Sequence, residues 1–473
     1  MTKEQSKPNI LFLIVDSLRS DKSYGNERTC ITPNLDSIIK KGTFFNQAIS
    51  PSDATRLSIK SIFTSQIPSK INDIESITDS IQSPKIPTLV SVLKKSGYKI
   101  FGTLPELEAL KSIYYEFNDN DKFSIKNNWP RLDDGIGEEI IKKIKSDLKE
   151  PWFYFLHILD VHSKITPQMP PLVIPEKFDS KEFGISRYER AISNVDYWIG
   201  KILKEIDLEK TIVIITSDHG SFIPYYQKGK TEISLEETKV HKVLQTSKKI
   251  KTPSILKPVG MKLYNRIKNN SQDQILAKIK NLSLSNYEKR NLLGMFSDSK
   301  TSFRIMYDEI VRVPLIFLGK NIPSGKIHSQ QVCTYDILPT IIDILQLDEE
   351  IRSDGHSLLP IMDQKETEEK PIFIRSSFPM NQKSGYLLGI RTSKYKYMRS
   401  SDDPKKHVFL FDLEKDPKEE KNIATEKLDT VNEYEDFLKN YFFQTKNEEE
   451  FDKSQTKIIE DELKRLGYIN WYF

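Results

Sequence analysis

The chain reads as an α/β protein: a large mixed, mostly parallel sheet sandwiched by helices, followed by a smaller C-terminal antiparallel sheet plus helix. Three observations predict this. Short all-apolar runs at residues 10–15, 152–159 and 212–215 lack the period-two alternation of a half-exposed strand. Such runs read as strands buried on both faces, which requires helices on both sides of a parallel sheet. Amphipathic segments separate these runs, so strand and helix alternate along the chain. From residue 371 the pattern changes to PIFIRSS, GYLLGIRTSKYKYMRS and HVFLFDLEKDP, which read as three antiparallel strands joined by hairpins.

Each element has a local reason. The first apolar run, in PNILFLIVDSLRSD, stops at Asp16. Residues 32–41 then form a helix with Thr32 as N-cap and Pro33 at its first position, where the missing N–H has no intrahelical partner in any case. Residues 43–48 are aromatic and extended, and 56–65 are helical. Residues 87–96 give an amphipathic helix that turns through Gly97 into a strand at 98–102. A charged helix at 135–149 precedes the run that ends in DVH. A long amphipathic helix at 188–206 precedes TIVIITSDHG. After a break at about 226–300 the pattern resumes with RVPLIFLG and the helical YDILPTIIDILQL, and a helix at 456–466 closes the chain. This divides the molecule into a catalytic α/β unit, 1–365, and a C-terminal α+β subdomain, 366–473.

Composition narrows the classes. The chain has 473 residues, 37% hydrophobic and 29% charged, as expected of a globular protein with a highly charged surface. Only Cys30 and Cys333 are present, which excludes a disulfide framework. The start MTKEQSKPN has no apolar h-region, and no run approaches the ~18 apolar residues of a membrane span. A cytoplasmic protein without a membrane span is expected. The formal net charge of +4 names no partner. The interval 226–300 holds 16 Lys and Arg against 6 Asp and Glu, so the remainder is net acidic. It reads as a solvated basic surface or a cap that steers an anionic substrate; nucleic acid, anionic lipid and sulfated glycan all fit that charge.

Open parallel sheets bind ligands beyond the carboxyl ends of their strands. There this chain carries Asp16, His157, Asp160, His162, Asp218 and His219, with Thr55 at the start of a helix. Three of the seven histidines fall in these short segments. Carboxylate and imidazole are ligands for Ca, Mg, Mn or Zn. Taken singly, Asp16 also reads as a helix N-cap, and so does Thr55. His157 lies inside the strand and reads as structural or supporting.

The sequence resembles the sulfatases of the alkaline phosphatase superfamily along almost its whole length. The matching pieces, in the family's order, are PNILFLIVDSLRSDKSYG, TPNLDSIIKKGTFF, SPSDATRLSIKSIFTSQIP, FYFLHILDVH, SDHG, YDEIVRVPLIF, TYDILPTIIDIL, DGHSLLP, GIRTSKYKYM, FDLEKDPKEEKNIA and LGYI. The resemblance implies an alkaline-phosphatase-like fold and one divalent cation bound by Asp16, Thr55, Asp218 and His219. Ser17 stands where many sulfatases carry a second Asp, and His219 where calcium-type members carry Asn. Both departures favour Mn or Zn over Ca. His162 matches the histidine that contacts the substrate oxyanion or protonates the leaving group.

The family's C-x-P-S-R motif supplies the formylglycine nucleophile. An ungapped alignment on Thr64 and Pro68 puts Thr55 in that place, followed by R-L-S-I. Threonine cannot become formylglycine, but its hydroxyl can attack when a metal lowers its pKa. The rival register, S-D-A-T-R, makes Ser52 the formylglycine precursor. It inserts three residues before Thr64, which rotates the helix by about 300°. The family's Lys-x-His is absent here, leaving Arg56, Lys60 and Arg304 as candidate substrate-binding cations. The expected activity is metal-dependent hydrolysis of a sulfate or phosphate/phosphonate ester, small or polymeric. A phosphoalcohol transferase and an inactive polyanion-binding relative are the alternatives.

Overall fold

The computed structural model describes residues 6–68, 86–105, 110–117, 122–123, 131–146, 148–162, 172–234, 279, 282–294, 305–365, 367–377 and 385–445. Arg304, most of the basic interval and the expected helix at 456–466 lie outside these residues.

Strands β1 (Asn9–Val15), β2 (Thr43–Ile49), β3 (Lys99–Pro105), β4 (Lys122–Phe123), β5 (Trp152–Ile158) and β6 (Thr211–Thr216) belong to the main sheet. The hairpin β7 (Tyr225–Lys228) and β8 (Thr231–Ser234) stands apart, and β9 (Arg312–Gly319), β10 (Lys326–His328) and β11 (Val332–Cys333) complete the large sheet. Its nine strands run β10-β2-β9-β6-β1-β5-β3-β4, with β11 beside β2. Strand β9 alone is antiparallel to its neighbours β2 and β6.

The two-sided burial of β1 is literal. Ile10, Phe12 and Ile14 pack into a core on one face, with Ile59 and Ile62 of the helix Thr55–Thr64 and Leu338 and Ile341 of the helix Ile337–Ile344. Leu11, Leu13 and Val15 face the other core, with Ile192, Val195 and Ile199 of the helix Arg187–Leu203. Successive strand side chains alternate faces, so only a strand covered on both sides can be apolar throughout. Each such side chain contributes roughly 1.5–3 kcal/mol. Strands β5 and β6 flank β1 in parallel, with His157 and Thr216 both opposite Ile14. The carboxyl ends of three adjacent strands therefore lie together.

The second sheet has four strands, not three: β12 (Ile372–Arg375), β13 (Leu387–Arg391), β14 (Tyr395–Ser400) and β15 (Phe409–Asp412), antiparallel throughout. The segment GYLLGIRTSKYKYMRS is itself a hairpin, closed where Thr392 N–H donates to Tyr395 O at 2.8 Å. A helix at Leu428–Thr445, unforeseen in sequence, packs Leu438 against Ile390, Tyr397 and Leu410. Ile372, Ile374, Leu387 and Met398 of this sheet share a core with Ile49 and Val311 of the main unit.

One buried polar network crosses the molecule. Arg19, 1% exposed, pairs with Asp21 at 2.8 Å and donates to Asn291 Oδ1 at 2.6 Å, Tyr287 OH at 3.1 Å and Ser221 O at 3.3 Å. Asn291 Nδ2 donates to Glu309 Oε1 at 3.0 Å, as does Arg290 Nε at 2.9 Å. The helix Asn286–Leu293, which ends the basic interval's described part, thus grips residues beside both ligand-bearing strand ends.

Candidate metal centre and ester-binding site

Asp16 follows β1 directly, and Asp218 and His219 lie just past β6. All three are buried, and one ligand atom from each lies within 4.8 Å of the others. Asp16 caps no helix: its Oδ1 accepts from Ser17 Oγ at 2.7 Å, and its Oδ2 accepts from Thr55 Oγ1 at 3.2 Å. Ser17, where a second carboxylate was expected of the family, has φ 65° and sends its N–H to Asp218 Oδ1 at 3.0 Å. Tyr188 OH donates to the Ser17 carbonyl at 2.6 Å, pinning this uncommon left-handed conformation.

The acceptors converge without enough donors. His219 Nδ1 lies 2.7 Å from Gly220 O, a group that only accepts, so Nδ1 carries the proton and Nε2 a lone pair. That lone pair sits 3.4 Å from Asp218 Oδ2, itself buried with no hydrogen-bond partner among the described residues. Burial would raise the Asp16 carboxyl, but His162 and then the hydrogen bond from His157 hold it well below the ordinary range. Burial and the neighbouring Asp16 charge push Asp218 upward. Two carboxylates and a lone pair facing one point are satisfied by a cation between them, and this donor set fits a divalent metal.

Thr55 is the first residue of its helix, not the cap. Ala54 occupies the cap position with extended backbone and no capping side chain. The Thr55 hydroxyl is thereby released to the site, 3.2 Å from both Asp16 Oδ2 and His219 Nε2. Ser52 is placed differently. It is fully buried, its carbonyl accepts from Ser50 Oγ at 2.9 Å and Ser58 Oγ at 3.2 Å, and its backbone bridges to Arg375. Ser58 thus buttresses the loop under the helix.

His162 Nε2 stands 3.8 Å from Asp16 Oδ1, and His157 Nε2 stands 3.3 Å from Asp16 Oδ2. Tyr114, which no motif singles out, meets His157 Nδ1 at 2.8 Å. Burial, then the charges of Asp218 and Asp16, push its phenol well above its usual range, so it stays protonated. Arg56 and Lys60 share a face of the Thr55 helix, four residues apart, with Lys60 buried.

Asp160 is not brought into the group. Its carboxylate accepts from Leu132 N–H at 3.1 Å, and burial pushes its pKa up to about 7. A carboxyl raised in the folded state binds its proton there more tightly than in the unfolded chain. Stability is therefore full below the ordinary carboxylate range and is lost as pH rises toward 7, by at most about 4 kcal/mol. Asp160→Asn, which keeps an acceptor for Leu132, is expected to be more stable than wild type at about pH 8 and equal to it near pH 4. Urea midpoints across that range check this; parallel curves for the two proteins would contradict it.

A two-sided α/β sheet whose adjacent strand ends gather ligands for a divalent cation defines a class of metal-site hydrolases. Within it, this chain belongs to the sulfatase family: the family model Sulfatase matches residues 8–347, and the model for the C-terminal part of N-sulphoglucosamine sulphohydrolase matches 300–447. It is accordingly a sulfatase-family ester hydrolase. The chain is 22% identical over 464 residues to a Delta 4,5-hexuronate-2-O-sulfatase of Bacteroides thetaiotaomicron, covering 89% of this chain and 85% of that one. A shorter match, 34% over 125 residues, relates it to human arylsulfatase K, covering 25% of this chain and 23% of that protein. Among solved structures, the phosphonate monoester hydrolase of Agrobacterium radiobacter aligns with TM-score 0.61 at 16% identity, covering 93% and 96% of the two chains. A 2-O GAG sulfatase aligns at TM-score 0.59 and 17% identity, covering 93% of each chain. No helix among the described residues is long and apolar enough to cross a membrane.

Proposed function

We propose that this chain hydrolyses anionic phosphate or phosphonate esters by in-line attack of Thr55, with one divalent cation, Mn or Zn before Ca, held by Asp16, Asp218 and His219. The observation that carries the reading is the Thr55 hydroxyl, freed from capping and 3.2 Å from both Asp16 Oδ2 and His219 Nε2. Bound there, the metal would lower the hydroxyl pKa and neutralise charge on the transferred group.

Thr55 Oγ1, its proton released to solvent, forms the new bond to phosphorus as the bond to the ester oxygen breaks. His162 delivers a proton to that departing oxygen and then takes one from water, whose oxygen attacks phosphorus and frees the Thr55 oxygen. The positive end of the Thr55–Thr64 helix favours the anionic group at its first turn. Arg56 and Lys60 add positive charge on the same helix. A threonine ester is cleared only by a second attack at the transferred centre, which phosphoryl and phosphonyl groups undergo. The names of the relatives support both ester classes: a phosphonate monoester hydrolase shares the fold, and the hexuronate sulfatase shares the sequence.

The protein loaded with Mn, Zn or Ca should be offered nitrophenyl phosphate, phosphonate and sulfate esters. Faster turnover of the phosphorus esters, with an unmodified peptide 52–60 by mass spectrometry, is expected. Preferential sulfate turnover together with an oxidised Ser52 would sink the proposal.

A further inference from the structure

We propose that His157, locked by Tyr114, is a positioning residue that orients the Asp16 carboxylate for metal binding. The strand order brings it there: β5 lies beside β1, and His157 is opposite Ile14, two residues before Asp16. Its side chain is 0% exposed, inside a strand whose other members are Trp152, Phe153, Tyr154, Phe155, Leu156 and Ile158. An imidazole buried in such a strand is destabilising unless both ring nitrogens find partners.

Both do. The Asp16 carboxylate only accepts, so His157 Nε2 carries a proton and donates to Oδ2 across 3.3 Å. Nδ1 is then a lone pair, and the protonated Tyr114 hydroxyl donates to it across 2.8 Å. The Tyr114 ring is itself wedged edge-on against His157 and packed on Phe63, Phe117 and Phe155. This tautomer is the opposite of that at His219, whose Nδ1 donates to Gly220 O and whose Nε2 faces the acceptor cluster as a lone pair. One imidazole is therefore prepared as a ligand and the other as a donor. Among the described residues the ligand group comprises Asp16, Asp218 and His219, without His157.

Ser17 Oγ holds the other oxygen of Asp16, at 2.7 Å, so donors on both oxygens fix the carboxylate plane. Hydrogen bonds to ligating groups typically contribute 10–100-fold to metal affinity. The inference rests on the metal centre proposed above and adds a residue to it.

The test is Mn2+ affinity of the full chain, measured by calorimetric titration of the metal-free protein, alongside its metal-free melting temperature. His157→Leu is expected to weaken Mn2+ binding by about 10–100-fold. His157→Gln, which retains an N–H donor, should recover most of that loss. Tyr114→Phe, which leaves the imidazole in place but removes the partner of Nδ1, should weaken binding several-fold and also lower the metal-free melting temperature. Unchanged Mn2+ affinity in Tyr114→Phe and His157→Leu would overturn the inference, as a merely structural role moves melting alone. Should His157→Leu fail to fold, unchanged affinity in Tyr114→Phe is sufficient to overturn it. Loss of all binding in His157→Gln as well would make His157 a ligand and equally overturn it. A wild-type protein that binds no Mn2+, Zn2+ or Ca2+ fails the metal centre itself, a separate result.

Discussion

Thr55→Ala is expected to lower kcat on phosphate or phosphonate esters by roughly 10^3-fold or more, the scale on which loss of a covalent nucleophile is felt. KM should change little, because the ligands and the helix N-terminus remain. Thr55→Ser retains an attacking hydroxyl and should keep a measurable fraction of the activity. Metal content measured on the same samples separates lost chemistry from lost cation. Ser52→Ala provides the contrast. Its hydroxyl is buried with no hydrogen-bond partner among the described residues, and Ser50 and Ser58 hold its carbonyl instead, so the change should leave kcat within a few-fold of wild type. A Thr55→Ala enzyme as active as wild type, or a dead Ser52→Ala enzyme that still folds and binds metal, would reverse the assignment.

The second large effect changes sign with the metal. In metal-free protein Asp218 is a buried carboxylate beside the Asp16 charge, with one oxygen lacking any donor among the described residues. Asp218→Asn relieves that repulsion while keeping Oδ1 as acceptor for Ser17 N–H, 3.0 Å away. The metal-free variant should therefore be more stable than metal-free wild type, by about 1 kcal/mol or more. With Mn2+ at about 100 times its Kd, wild type should gain about 2.7 kcal/mol and the variant far less. Activity of the variant should fall by at least about 100-fold at the same metal concentration. Melting curves with Mn2+ and with a chelator show the crossing directly. A variant stabilised by metal as strongly as wild type would remove Asp218 from the ligand set.

The sequence disclosed the buried strands because two-sided burial leaves no polar alternation, and β1 and β6 showed it residue by residue. Asp16, Asp218 and His219 were legible because such strands end abruptly in groups with no apolar role. Thr55 was singled out only through the family resemblance, aligned on Thr64 and Pro68, and its release from the capping position was not legible, since cap and first helical turn differ only in backbone angles. Tyr114 was invisible. It reaches His157 across 43 residues of chain, from the segment that follows β3, the neighbour of β5, and nothing local in YYEF announces that. The extra strand in the C-terminal sheet was missed because Thr392, Ser393 and Lys394 turn the chain without Gly, Asn or Pro to mark it. The helix at Leu428–Thr445 was passed over for one further on, because its apolar stripe is narrow and interrupted by Asn, Glu and Asp.

The grip of the helix Asn286–Leu293 on Arg19 sets a limit on how the basic interval can be remodelled. In sequence that interval looks like a removable graft, and long surface insertions are generally tolerated with little penalty in loop entropy. Its final turns nevertheless brace the loops of the candidate metal centre: Asn291 and Tyr287 hold the guanidinium that also meets the carbonyl of Ser221, two residues beyond His219. Trimming the graft has to spare the helix after Ser285 and also Ile279 and Leu284, which are buried with Leu292 beneath it. The loops that carry Asp16 and His219 thereby take part of their support from the far end of that interval.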